Sequence, residues 1–303
     1  MKFINVNGRD VSVIGAGCMR IAFMDDSQAE AFVKTGLEAG INFFDHADIY
    51  GGGRSEEIFG RLFAAQPELR ERIFLQSKCA IHDGMFDFSK EYILKAVDGI
   101  LTRLHTDHID SLLLHRPDAL MEPEEVGEAF AELYEAGKVL NFGVSNQNPA
   151  QMQLLQSGFS FPLWADQIQM SIVHAPTLEA GFNVNMDIDP SIDRDNGIIE
   201  YCRLHRMAVQ TWSPLQKGYF GGAFLGDEKY AELNELLARI GESYGVGADI
   251  IAYAWLLRIP ARMQVITGTS KPERIAGAAR AADICLSRKE WYDIYKSAGR
   301  RLP

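Results

Sequence analysis

One pattern constrains this chain more than any other. Apolar runs of strand length alternate with amphipathic stretches of helical period along nearly the whole sequence. The runs span 41–45, 73–78, 109–115, 139–145, 165–169, 207–212 and 263–267, with a further short one near 13–15. Helical patterns lie between them at 92–104, 123–136, 149–156, 198–205 and 248–258. Strands separated by helices imply a parallel sheet with crossover connections. About eight such units point to a closed (β/α)8 TIM barrel rather than an open sheet. The expected class is therefore α/β. Asn7-Gly8 between two short apolar runs, 3–6 and 11–13, is the signature of a β-hairpin placed ahead of the barrel. Ser27 is a plausible cap for the first helix. No linker or biased tract interrupts the pattern, so residues 1–303 read as a single domain. The longest expected loop is 173–196, polar and Asp-rich, and loops of that length are usually functional.

Charge and cysteine content exclude several roles. The formal net charge is -11, which argues against generic attraction to nucleic acid or an anionic membrane. An anionic ligand would need a local basic pocket. No stretch has the length of a transmembrane helix, and the first residues turn polar too soon for a signal peptide, so a cytoplasmic location is expected. Cys18, Cys79, Cys202 and Cys285 are scattered, without metal-ligand spacing, and read as reduced thiols. No metal site is expected. A monomer and a small homo-oligomer both fit this pattern.

Several runs close on a polar residue: Asp45, Lys78, His115, Ser145 and Gln169. In a barrel of this kind the C-terminal strand ends meet at one mouth, where active sites lie. Strands that merely end at polar loops would explain any one of these residues. That reading fits Lys and His less well, since both are unusual at apolar strand ends. Tyr50 follows Asp45 by five positions and precedes Gly51-Gly52-Gly53. A phenol titrates near 10, and a neighbouring ammonium lowers that value. Lys78 offers the ammonium, Asp45 a counter-charge, and His115 a hydrogen bond to a carbonyl oxygen; together they would polarise and protonate a carbonyl. Spacing alone leaves Tyr50 an ordinary loop aromatic.

The motifs add a resemblance. Asp45-x-Ala-x-x-Tyr50-Gly, Ser77-Lys78, His115-Arg116-Pro117-Asp118, Gly143-Val144-Ser145-Asn146, Gln167-Ile168-Gln169, Trp212-Ser213-Pro214-Leu215 and Gly268-Thr269-Ser270-Lys271-Pro272-Glu273-Arg274-Ile275 occur in the order found in the aldo-keto reductases. The chain resembles that superfamily over nearly its whole length. It is most similar to the bacterial NADP-dependent oxidoreductases that carry a His-Arg-Pro-Asp segment. The resemblance implies catalytic Asp45, Tyr50, Lys78 and His115, with Tyr50 as general acid in reduction. It implies NADP(H) as cofactor and a small-molecule carbonyl as substrate. Ser145, Asn146 and Gln169 would then hold the nicotinamide carboxamide, and Trp212, otherwise read as a core tryptophan, would stack on the ring. Ser213, Leu215 and Gly218 would follow the pyrophosphate, while Gly17, Cys18, Met19, Arg20 and Asp45 would touch the cofactor from the first strands. Gly268, Thr269, Ser270, Lys271 and Arg274 would take the 2'-phosphate end, where cations are needed. Pro272 suits the first turn of a helix there. Gly277 and Ala278 depart from the family's adenine-holding residues.

Met19, Arg20, Phe23, Met24, Ile49, His82, Met85, Phe86, Gln147, His174 and Phe182 are the expected pocket walls. His46 is expected to pack beside the mouth. The alternative to an enzyme is an NADP(H)-binding regulatory or interaction protein with little turnover. A barrel enzyme of another kind, with a phosphate site at 268–274, is a third reading.

Overall fold

The computed structural model describes residues 1–219 and 221–302. Its first element is the expected hairpin, β1 (Phe3–Val6) and β2 (Arg9–Ser12), antiparallel and joined at Asn7-Gly8. Both turn residues have positive φ, 48° and 88°, which is why Asn and Gly stand there.

Eight parallel strands follow: β3 (Ile14–Gly17), β4 (Phe43–Asp45), β5 (Phe74–Cys79), β8 (Ser111–Leu114), β9 (Phe142–Ser145), β10 (Ala165–Gln169), β11 (Ala208–Trp212) and β12 (Arg262–Thr267). They close into a barrel in chain order, with β12 pairing back onto β3. The intervening β6 (Ile81–His82) and β7 (Met85–Phe86) form a small antiparallel hairpin above β5, which the apolar pattern did not indicate. Helices cover the outside. Pro149–Gln156 begins where Asn148 and Gln151 form a reciprocal capping box with Pro149 at its first position.

Strand and helix ends differ from the sequence reading by up to three residues, and two larger differences concern the first helix's cap and the longest loop. The first helix, Asp26–Glu38, is capped by Asp25 rather than Ser27, because Asp25 and Gln28 exchange hydrogen bonds as a capping box. The segment 173–196 is not a bare loop: it contains the helix Pro176–Phe182 and the 3-10 turn Asp189–Ser191. Phe182 therefore packs against Trp291, Tyr292 and Tyr295 of the C-terminal helix Arg288–Ser297 and is no pocket wall.

The hairpin closes the N-terminal end of the barrel. Arg9 pairs with buried Asp110 and donates to the carbonyls of Glu71 and Ile73. No helix among the described residues is long and apolar enough to cross a membrane. Cys18, Cys79 and Cys202 are buried free thiols, and Cys285 is exposed.

Candidate active site

The strand ends bring the expected residues together. Lys78, fully buried, donates from Nζ to Asp45 Oδ1 (2.8 Å) and Oδ2 (2.7 Å), to the His46 carbonyl (2.8 Å) and to the Tyr50 hydroxyl (3.4 Å). The ammonium also lies 5.2 Å from the Tyr50 ring centre. The ring of His115 meets that of Tyr50 edge-on at 6.1 Å. The part of His46 in this set is its backbone; its ring packs on Phe59 at 4.6 Å, with Nδ1 3.3 Å from Ser55 Oγ. Burial, followed by the Lys78 charge, pushes His46 down to about 3 and keeps it neutral.

The electrostatics revise one expectation. Lys78 does draw the Tyr50 phenol down, but burial outweighs it, and the group lies above its ordinary value of 10.0. Tyr50 is thus protonated at neutral pH, the form a proton donor requires. Burial by itself would lower Lys78; Asp45 and Tyr50 more than compensate and raise it. His115 is driven well below 6.5, first by burial and then by Lys78 and Arg116, so its ring is neutral. Its Nδ1 is buried without a partner among the described residues. The tautomer that carries its proton on Nε2 leaves only an acceptor buried there and presents a donor to the mouth.

Asp45 is held from below by residues the sequence reading passed over. Gln76 Nε2 (2.6 Å) and Gln167 Nε2 (3.1 Å) both donate to Asp45 Oδ1. The same two amides donate to Gln210 Oε1, at 2.8 and 2.9 Å, across the barrel interior. Gln210 donates to Gln264 Oε1 (3.1 Å), and Gln264 donates to the Ser12 carbonyl (3.0 Å). At the other end Trp164 Nε1 donates to Ser111 Oγ (2.7 Å), and Ser111 donates to Gln76 Oε1 (3.0 Å).

Both ends of this chain are one-way groups: an indole N–H only donates, and a backbone carbonyl only accepts. The flip of every amide between them follows from its partners. Trp164 and Ser111 turn the Gln76 oxygen away from Asp45. The Ser12 carbonyl, acting through Gln264 and Gln210, does the same for Gln167. Asp45 consequently receives donors only. The signal for this network was four Gln residues at interior positions of apolar strands.

The expected cofactor residues fall into two groups. In the first, Ser145 Oγ donates to the Gln167 carbonyl (2.8 Å), Asn146 donates to Ser145 Oγ (2.7 Å), and Trp212 donates to Asn146 Oδ1 (3.2 Å). Gln169 pairs in register with Trp212, and its Nε2 is buried with no partner among the described residues. Gly17 ends β3 where any Cβ would come within 2.5 Å of the Thr267 carbonyl, and Cys18 donates its N–H to the Asp45 carbonyl (2.9 Å). Ser213 (φ 51°), Leu215 and Gly218 (φ 112°) lie on the loop after β11.

The second group is more open. Arg20 and Lys271 line one cleft of about 410 Å³ with Phe23, Met24, Gln28 and Ser270. Arg20 donates to the Gly268 carbonyl, and the Lys271 N–H donates to Thr269 Oγ1 (3.1 Å). Lys271 and Arg274 have no carboxylate partner among the described residues.

The expected pocket walls are mixed. Met19, Phe23, Ile49, Met85 and Phe86 are exposed around the mouth, and His174 is half-buried beside Gly218. Met24 is buried, and Gln147 is buried with both amide atoms unpartnered. His82 stacks on Tyr92 at 4.1 Å.

The chain is similar in sequence and fold to known proteins. The aldo/keto reductase family model matches residues 13–298. Oxidoreductase YdhF of Escherichia coli (strain K12) is 37% identical over 284 residues, covering 91% of this chain and 89% of the relative. A 6-dehydroglucose reductase of Agrobacterium fabrum is 35% identical, covering 95% of each chain. Among solved structures, the thermostable aldo-keto reductase Tm1743 in complex with epalrestat has a TM-score of 0.79 at 25% identity, covering 98% of this chain and 100% of that one. An aldo-keto reductase from Klebsiella pneumoniae in complex with NADPH shares the fold, with a TM-score of 0.77 at 23% identity, covering 97% of this chain and 94% of that one. The chain is an oxidoreductase that belongs to the aldo/keto reductase family.

Proposed function

We propose that this protein reduces an aldehyde or ketone to an alcohol with NADPH, Tyr50 acting as the general acid. One observation carries the reading: a fully buried Lys78 is fixed by Asp45 and the His46 carbonyl and spends its remaining reach on the Tyr50 hydroxyl. A carbonyl oxygen placed between Tyr50 and the Nε2 edge of His115 receives two donors. Tyr50 gives up its proton as negative charge grows on that oxygen, and Lys78 stabilises the phenolate left behind.

The residues present suit the cofactor. Gln169 offers a buried amide donor without a partner among the described residues, and Arg20 and Lys271 face a common cleft. Ser145, Asn146, Gln169 and Trp212 would hold the nicotinamide end. Ser213, Leu215 and Gly218 would follow the pyrophosphate. Lys271 and Arg274, with Gly268, Thr269 and Ser270, would take the 2'-phosphate. When bound, NADPH supplies the hydride. The aldo-keto reductase from Klebsiella pneumoniae was solved with NADPH, and two relatives are named 6-dehydroglucose reductase.

Steady-state oxidation of NADPH with 4-nitrobenzaldehyde tests the reading. Tyr50→Phe should lower turnover by about a thousandfold, while NADPH binding, followed by fluorescence titration, stays near wild type. Full turnover in Tyr50→Phe would remove this mechanism. Tight NADP(H) binding with no turnover across a broad carbonyl panel would favour a regulatory role instead.

A further inference from the structure

Arg116 directly follows His115 at the mouth of the barrel and is half-buried. Its environment is unlike that of any comparable cation in the chain. Of the other buried or half-buried Lys and Arg side chains among the described residues, Arg9, Arg70, Lys78, Lys90, Arg103, Lys138, Lys217 and Arg300 each pair with a carboxylate. Arg258 and Arg262 donate to backbone carbonyls. Arg116 does neither. Its guanidinium carbon lies 5.9 Å from the centre of the Trp212 ring and 6.0 Å from that of Tyr219. Nearby Asp118, which could have neutralised it, instead accepts the N–H groups of Phe88 (2.9 Å) and Leu120 (2.8 Å).

Ring faces attract a guanidinium but accept none of its five N–H donors in a strong hydrogen bond. A partly desolvated cation without a hydrogen-bonding counter-charge is costly, and the chain, at -11 overall, has ample carboxylates with which to avoid it. The Arg116 charge reaches the catalytic ring, since it helps depress His115. A planar fork with free donors, placed one residue beyond the group that meets the carbonyl oxygen, is suited to bidentate capture of an oxyanion.

We infer that Arg116 is the receptor for an anionic group on the substrate, so that the enzyme takes carbonyl compounds bearing a carboxylate or a phosphate. This rests on the reductase reading above and narrows its substrate class. Trp212 and Tyr219 orient the fork, and the anion supplies the hydrogen-bond acceptors the protein withholds. Arg20 is not an equivalent receptor, since it already donates to the Gly268 carbonyl.

The test compares matched pairs at low salt: 4-carboxybenzaldehyde against its methyl ester, and glyceraldehyde 3-phosphate against glyceraldehyde. In wild type the anionic member of at least one pair should show kcat/KM higher by about 10- to 100-fold, mainly through KM, with the advantage shrinking as salt is added. The pair that discriminates identifies carboxylate or phosphate as the natural group. Arg116→Gln should bring that ratio close to one, and Arg116→Lys should restore part of it. A second readout needs no turnover. Calorimetric binding of terephthalate and of inorganic phosphate to the enzyme–NADP⁺ complex should weaken about tenfold or more in Arg116→Gln for the anion that fits. Equal handling of both pairs by wild type, or an unchanged ratio and unchanged anion binding in Arg116→Gln, would overturn the inference. Absence of turnover with all four carbonyls would instead count against the reductase reading, and the calorimetry would still decide for or against Arg116.

Discussion

The two halves of the mouth are built on opposite principles. The Asp45–Lys78 half is closed and over-determined: each Asp45 oxygen has donors, and the amides beneath it are fixed by Trp164 and Ser12. The Arg20–Lys271 half is open, and so is the surrounding of Arg116: Arg20 donates to one carbonyl, Arg116 lies over two rings, and among the described residues none of the three cations has a carboxylate partner. One half satisfies its charges internally, as the proton transfer proposed above would require. The other leaves charges for ligands to satisfy. Mutations should therefore damage stability and turnover in the first half, and binding in the second.

The largest effect is expected where the closed half loses its cation. Lys78→Met strands the buried Asp45 carboxylate, and breaking such a pair costs about 3–5 kcal/mol of stability. Turnover should fall by about a thousandfold with it. The double change Lys78→Met with Asp45→Asn should recover most of the stability, measured by urea denaturation, and none of the activity. If the double variant is no more stable than the single one, the unpaired charge is not what destabilises it.

In the open half, Lys271→Ala should weaken NADPH about 10- to 100-fold in a fluorescence titration, leave NADH nearly unaffected, and leave the melting temperature close to wild type. Equal weakening of both cofactors would mean that Lys271 does not meet a 2'-phosphate.

The sequence discloses these halves unequally. The barrel was legible because strand and helix periods differ, and Asp45, Lys78 and His115 were legible because each closes an apolar run. Gln76, Gln167, Gln210 and Gln264 were not, because their meaning is a bond across the barrel between residues as much as 134 positions apart. Phe182 and Gln147 read as pocket walls for want of any local sign that a helix inside 173–196 would turn one inward and that the other would be buried. The sign of the Tyr50 shift was also out of reach, since it depends on how much water reaches the phenol.

The amide network gives a smaller and more selective test. Ser111→Ala removes one of the two donors to Gln76 Oε1, the other being Gln210 Nε2 (3.2 Å), and leaves the Trp164 N–H without its acceptor. Losing one buried hydrogen bond of this kind corresponds to about fivefold in turnover. The loss should appear in kcat rather than in the KM for NADPH, and Ser111→Thr, which keeps the hydroxyl, should restore it. A Ser111→Ala enzyme with wild-type kcat would reduce the network to packing.

The smallest expected effect lies on the turn that joins the halves. Asp48, two residues before Tyr50, is pushed up to about 7 by burial and then by Glu56 beside it. The Tyr92 hydroxyl at 3.5 Å and the Ile49 N–H are too weak a set of donors to offset that burial. The folded protein therefore keeps a proton that the unfolded chain releases near 3.8. Where the folded state binds more protons, stability falls as pH rises, here from about pH 4 to about pH 7. Asparagine does not titrate, so Asp48→Asn should lack that loss. Its melting temperature should exceed wild type by more at pH 8 than at pH 5, whereas a pH-independent difference would show that Asp48 is not protonated in the fold. Neither Tyr50 nor His115 should titrate between about pH 6 and about pH 9, given the directions in which burial drives them. The reduction rate of the Asn variant should accordingly stay level over that range. An inflection near neutrality in wild type that Asp48→Asn abolishes would assign to this carboxyl a part in Tyr50's proton transfer, and would move Asp48 from the frame of the closed half into its chemistry.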